Sequence, residues 1–256
     1  MAAIYLGGWV FAGTVALILL LASLEIVKLF RAGGFNPALV IVLISTLLLV
    51  ISRQIDEFTS SPWILSLILL TSMAYHLIQY ERGKDQSLAD FALTFTSSLY
   101  IGWLGAYLIS LRNSQDGMWW MLLVLPAIWI ADGGAYIIGK RFGKHHITPR
   151  LSPKKTWEGY IGGIIVGTLG VTLLALLYQY VGAMNTSVTT LSAAIIGFVV
   201  SVLGIFGDLG ESMIKRQVGI KDSGNILPGH GGVFDRIDSW LWAAVIGYYL
   251  ISWFFI

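Results

Sequence analysis

Eight apolar runs, each close to the thickness of a lipid bilayer, leave this chain few folds to adopt. They cover residues 8–30, 36–52, 62–80, 91–111, 118–138, 159–182, 191–206 and 237–256. A helical span needs about 17–25 apolar residues, so the shorter runs imply tilt or partial burial. Hydrocarbon offers no partner to backbone N–H and C=O groups, so every run must be a helix. Composition agrees. The 256 residues are 56% hydrophobic and 12% charged, and the mean hydropathy is +0.77, whereas a soluble domain carries roughly 25% charged residues. The expected fold is all-α, a polytopic integral membrane protein of about eight transmembrane helices. No stretch is long enough for a separate soluble domain. The chain has no cysteine, which excludes disulfides and thiolate metal sites.

Charge sets the expected orientation. The ends and following loops of runs 1, 3, 5 and 7 hold 14 of the 16 Lys and Arg, while Arg53 and Arg112 follow runs 2 and 4. By the positive-inside rule the basic loops face the cytoplasm, which in a bacterial cell means the inner membrane. No Lys or Arg precedes the long first run, so it does not read as a cleaved signal peptide. The division expected is 1–116 for lipid-facing helices and packing, and 117–256 for a catalytic region with cytoplasmic loops 139–158 and 207–236. Gly159, Gly163 and Gly167 repeat every four residues, with Gly162 and Gly170 nearby. Such a face allows close helix approach, either inside the chain or across a homodimer. Thr94, Ser97, Ser98, Gly102 and Gly105 form a similar face, read as packing.

The polar residues concentrate in the C-terminal half. If the seventh run continues as a helix, Asp208, Glu211, Ser212 and Lys215 share one face. An acid directly after an apolar run is costly without a partner and marks a functional candidate. Gly224, Pro228, Gly229, Gly231 and Gly232 break any helix. Glycines let backbone N–H groups approach phosphate oxygens, and Lys221 and Arg236 flank them. Asp235 and Asp238 open the last run, where a carboxylate can serve the helix dipole or hold Mg²⁺. Asp208 and Asp235 are the favoured metal pair, with Asp238 in support. The loop after run 5 carries six Lys and Arg, including Lys154 and Lys155, which suit lipid headgroups or a nucleoside triphosphate. Just before it, Asp132, Tyr136 and Lys140 share a helix face. His230 is a weak candidate base, because an ionised phosphate needs little deprotonation. His145 and His146 read as surface residues, and Glu25, inside the first run, has no partner legible in sequence. Carboxylates beside Lys and Arg at a membrane surface point to phosphoryl or nucleotidyl transfer. An ion-coupled transporter is the more distant reading, disfavoured because the charge gathers at one interface.

The stretch from Ser212 to Asp238 resembles the signature of the phosphatidate cytidylyltransferase (CDP-diacylglycerol synthase) family. Ser212, Lys215, Arg216, Lys221, Asp222, His230, Gly231, Gly232, Asp235, Arg236 and Asp238 all meet it. The stretches 132–136 and 152–158 are similar to the family's as well, so the resemblance is strong from Asp132 onward. It implies transfer of CMP from CTP to phosphatidate, giving CDP-diacylglycerol and pyrophosphate. It also implies dependence on Mg²⁺ and a monovalent cation such as K⁺ near the site. Carried over by position, Asp208 and Asp235 are metal ligands, and Lys155 and Lys215 are phosphate-binding groups. No nucleic acid is implied as a partner. Bacterial members usually begin with basic residues and one further hydrophobic helix, which is not seen ahead of Met1-Ala-Ala-Ile-Tyr. Nearer rivals are CTP-dependent enzymes of other lipids, such as a polyprenol kinase or an ether-lipid cytidylyltransferase. The full signature argues against a kinase.

Overall fold

The computed structural model describes residues 1–180, 188–220, 223–224 and 231–256. In chain order these form α1 (Ala2–Leu6), α2 (Gly8–Ala32), α3 (Leu39–Asp56), α4 (Ser61–Glu81) and α5 (Ser87–Ser97). A π-helical turn (Ser98–Trp103) joins α5 to α6 (Leu104–Asn113), followed by α7 (Gly117–Phe142). Two short strands, β1 (His146–Thr148) and β2 (Ser152–Thr156), lead into α8 (Trp157–Tyr180), α9 (Thr190–Leu203), α10 (Ile205–Gln217) and α11 (Phe234–Phe254). Seven helical stretches among the described residues are long and apolar enough to cross a membrane. The eighth expected run is the helix α11, whose first turns carry Asp235, Arg236 and Asp238 and whose apolar part is rich in Trp and Tyr. The all-α membrane architecture therefore stands.

The chain divides into two compact units, Met1–Ser110 with Ile214–Ile237, and Leu111–Met213 with Asp238–Ile256. The sequence suggests a single cut after residue 116. In the structure each unit also takes in a segment from the C-terminal region.

In the first unit, Phe11, Val15, Leu19, Ala22 and Ile26 form one buried face of α2, as helical spacing requires. Leu49, Ile64 and Ile68 make a core between α3 and α4, covered by Phe95 and Trp103. Several buried polar groups find partners. The Ser23 and Thr46 hydroxyls lie 3.1 Å apart, Thr94 accepts the Ala38 N–H at 2.9 Å, and Asp90 accepts the Asn36 N–H at 2.6 Å. Arg53, 1% exposed, lays its guanidinium over the rings of Phe58, Trp103 and Tyr107 at 3.6, 4.6 and 4.6 Å. The ring faces compensate part of the charge's desolvation. The small-polar face of the fourth run packs inside the unit as expected. Thr94, Ser97 and Ser98 are buried, and a Cβ on Gly102 would stand 3.0 Å from Thr46 Cα.

In the second unit, α7, α8 and α9 pack closely, and the glycine face of α8 is the reason. A Cβ on Gly163 would lie 2.8 Å from the Ala131 carbonyl oxygen and 2.9 Å from Ala135 Cβ, both on α7. On the same helix, Gly159 meets the Ala135 carbonyl, and Gly197 of α9 meets Thr168. The glycine repeat thus serves internal packing and carries no argument for a dimer. Gly163→Val should lower the thermal midpoint of the detergent-solubilised protein, because overpacking such a contact costs about 1–3 kcal/mol. An unchanged midpoint would show that α7 and α8 can part at no cost.

The antiparallel hairpin of β1 and β2 departs from the sequence reading, in which the stretch is only a basic loop. His146 pairs with Thr156 and Thr148 with Ser152. The Leu151 N–H closes the turn on the Thr148 carbonyl at 3.1 Å. A turn built on Pro149-Arg150 suits proline's fixed φ. Thr156 then ends β2 and accepts the Gly159 N–H at 3.2 Å, capping the first turn of α8.

Candidate active site

Two groups of chemistry-bearing residues are described, one in each unit. In the second unit a cavity of about 720 Å³ opens among α7, the hairpin, α8, α9 and α10. Asp132, Tyr136 and Lys140 line it from α7, as their shared face predicted. Lys154 and Lys155 reach it from β2, and Asp208 from α10. Ile128, Ala131, Ile164 and Val200 also line it and make part of its wall apolar. The hairpin is therefore the device that sets two lysines over an intramembrane acid.

Lys155 Nζ lies 2.5 Å from an Asp208 carboxylate oxygen, with Lys155 about a quarter exposed. Ser212, one turn along α10, donates to Asp208 Oδ1 at 3.3 Å. Asp132 and Asp238 each feel the charge of Asp208, and Lys155 acts on both Asp208 and Asp132. Asp238 is 7% exposed, and its Oδ1 accepts the Ser239 N–H at 2.6 Å. Glycine at 207 lets α10 approach α11 there, since a Cβ would stand 2.6 Å from the Asp238 carbonyl oxygen. Glu211 is buried, whereas sequence spacing places it with the others on one polar face.

In the first unit Asp235 is the centre. Its Oδ1 pairs with Lys215 Nζ at 2.8 Å. Its Oδ2 accepts the backbone N–H of Gly232 at 2.7 Å and of Ser223 at 3.2 Å. Hydrogen bonds to an ionised carboxylate contribute about 1.5–3 kcal/mol each, so Asp235 both opens α11 and ties down the backbone ahead of it. Gly231 adopts φ 79, a left-handed conformation, and a Cβ there would stand 2.8 Å from Asp235 Oδ2. Arg216 and Arg236 are exposed. Lys221, Asp222 and His230 lie outside the described residues. The sequence reading offers the glycine N–H groups of this stretch to phosphate; that the Gly232 and Ser223 N–H groups serve Asp235 carries no side-chain signal and was missed.

No three His, Asp or Glu side chains among the described residues converge as a ready metal cage. The donor chemistry still suits Mg²⁺. Asp208 and Asp235 offer hard carboxylate oxygens, each held by a lysine ammonium. Mg²⁺ takes one or two carboxylates and completes its octahedron with waters and phosphate oxygens.

Known proteins resemble this chain along most of its length. A protein of Synechocystis sp. named phosphatidate cytidylyltransferase is 30% identical over 277 residues, covering 96% of this chain and 89% of that protein. One of the same name from Staphylococcus haemolyticus is 34% identical over 235 residues, covering 90% and 84%. Another, from Bacillus subtilis, is 40% identical over 159 residues, covering 62% and 57%. The Cytidylyltransferase family matches residues 1–254, so nearly the whole sequence participates, and the chain belongs to that family.

Proposed function

We propose that this chain is a membrane-bound phosphatidate cytidylyltransferase of phospholipid biosynthesis, working at the cytoplasmic face of a bacterial inner membrane. The observation that carries the reading is the cavity in the second unit, with Lys154, Lys155, Asp132 and Asp208 beside an apolar wall. A lipid that bears a phosphate needs that combination. The relatives' shared name supplies the acceptor, phosphatidate, and the nucleotide, CTP.

A phosphate oxygen of phosphatidate attacks the α-phosphorus of CTP. The new P–O bond gives CDP-diacylglycerol, and the bond to the β-phosphate breaks, releasing pyrophosphate. Reactions of this kind depend mainly on positioning and charge neutralisation. Lys155 and Lys215 are the phosphate-binding cations, and their carboxylate partners fix the ammonium groups in place before substrate arrives. Lys154, Arg216 and Arg236 add charge, the arginines with two-pronged contacts to phosphate. Ser212 orients the Asp208 carboxylate. Lys221, Asp222 and His230 complete the substrate-binding set by their place in the signature. Mg²⁺ is the proposed cofactor, with Asp208 and Asp235 as its carboxylates and Asp238 in support; when bound, it supplies positive charge against the triphosphate. A monovalent cation such as K⁺ is proposed beside it.

The test is pyrophosphate release by the purified protein in mixed micelles with CTP, Mg²⁺ and phosphatidate. Release should require all three and match CDP-diacylglycerol formed. Release without lipid, or equal release with another phospholipid, would overturn the reading.

A further inference from the structure

Glu25 lies inside α2 and is 1% exposed. Its Oε2 accepts the N–H of Phe234, the first residue of α11, at 2.7 Å, and the Ser223 hydroxyl at 3.5 Å. Its Oε1 is buried without a hydrogen-bond partner among the described residues. Backbone packs tightly around the carboxylate. A Cβ on Gly224 would stand 2.6 Å from Oε1, and one on Gly232 2.5 Å from Oε2. A buried, half-satisfied carboxylate in a membrane helix is costly, so packing alone does not account for it. The same residues that meet Glu25 also meet Asp235. Ser223 gives its hydroxyl to Glu25 and its N–H to Asp235, and Gly232 gives its N–H to Asp235 while lying against Glu25.

We propose that Glu25 is a positioning residue for the transfer reaction. Its carboxylate holds the backbone at Ser223, Gly224 and Gly232 and the start of α11, so that Asp235 keeps its geometry on Lys215. The proposal rests on the cytidylyltransferase reading above. Because Glu25 acts through acceptor geometry, Glu25→Gln, which keeps a carbonyl oxygen for Phe234, retains most function, and Glu25→Ala does not.

The chain has no cysteine, which makes a single introduced thiol a clean probe. Val233→Cys, at a position 8% exposed, is labelled with a maleimide in otherwise unmodified and Glu25→Ala protein, both extracted as monodisperse species. Labelling should be at least about tenfold faster in the Glu25→Ala protein, which lacks the acceptor, as expected when a locally closed segment opens. In assays without the introduced thiol, Glu25→Ala should lower kcat about 30-fold while KM for CTP and phosphatidate stays within about threefold, the pattern of a lost transition-state alignment. Glu25→Gln should recover to within about fivefold of the unmodified kcat. Gly224→Ala keeps the carboxylate but crowds it, so it should lower kcat in the same way and add nothing to Glu25→Ala, because both act on one contact. This variant also covers the case in which Glu25→Ala does not fold. Labelling rates within about twofold of each other, or Glu25→Gln as impaired as Glu25→Ala, would overturn the proposal. If the unmodified chain forms no CDP-diacylglycerol, the cytidylyltransferase reading fails, and the labelling ratio alone decides the role of Glu25.

Discussion

Asp235→Ala is expected to reduce CDP-diacylglycerol formation by about a thousandfold or more, equivalent to roughly 4 kcal/mol of transition-state stabilisation. Among the described residues, the Lys215 ammonium and the N–H groups of Gly232 and Ser223 meet this carboxylate. Alanine removes all of them and takes a proposed metal ligand with them. Asp235→Asn separates these effects. The amide oxygen can still accept from the backbone, so the start of α11 keeps its hydrogen bonds, while the charge is lost. Asn should therefore be nearly as inactive as Ala yet unfold closer to the unmodified protein. Activity of Asp235→Ala near normal at saturating Mg²⁺ would sink the assignment.

The second large effect is expected at Lys155. Lys155→Ala should lower kcat/KM about a hundred- to a thousandfold, or roughly 3–4 kcal/mol. Part of that loss is electrostatic strain in the free protein, because Asp208 and Asp132 lose a cation that acts on both of them. Lys155→Arg keeps the charge and should restore part of the rate. Its planar fork does not reproduce the single short contact to Asp208. The check is steady-state kinetics of both variants beside their thermal midpoints. Equal rates for the Ala and Arg variants would mean that the charge at this position does not act on phosphate.

Much of this was legible in the sequence because it is periodic or local. Eight apolar runs became helices, and Asp132, Tyr136 and Lys140 line one cavity because their spacing follows the helical turn. Asp208 to Lys215 lie on the helix expected for them. The rest was hidden because it depends on contacts between distant parts of the chain. Lys155 meets Asp208 only because a hairpin forms in a stretch too basic and proline-rich to read as strand. Glu25 meets the Phe234 N–H from 209 residues away, and a backbone donor leaves no mark in composition. The glycine repeat of α8 was readable as a close-approach face, but the choice between an internal and an intermolecular partner needed the facing helix.

The π-helical turn at Ser98–Trp103 bears on how this family can vary in length. Such a turn is an α-helix that has absorbed one additional residue, and the helix on each side keeps its own face. Thr94 and Ser98 lie ahead of most of the turn, Gly102 and Trp103 at its end, and all of them pack inside the unit. Losing one residue here would relax the turn to ordinary α geometry without rotating either half off its partners. A membrane span otherwise tolerates no insertion or deletion, because a single step turns everything beyond it by about 100° (3.6 residues per turn). This span thus contains one position where an evolutionary gap of a single residue is neutral, and an alignment of relatives should open there before it opens anywhere else in the helix.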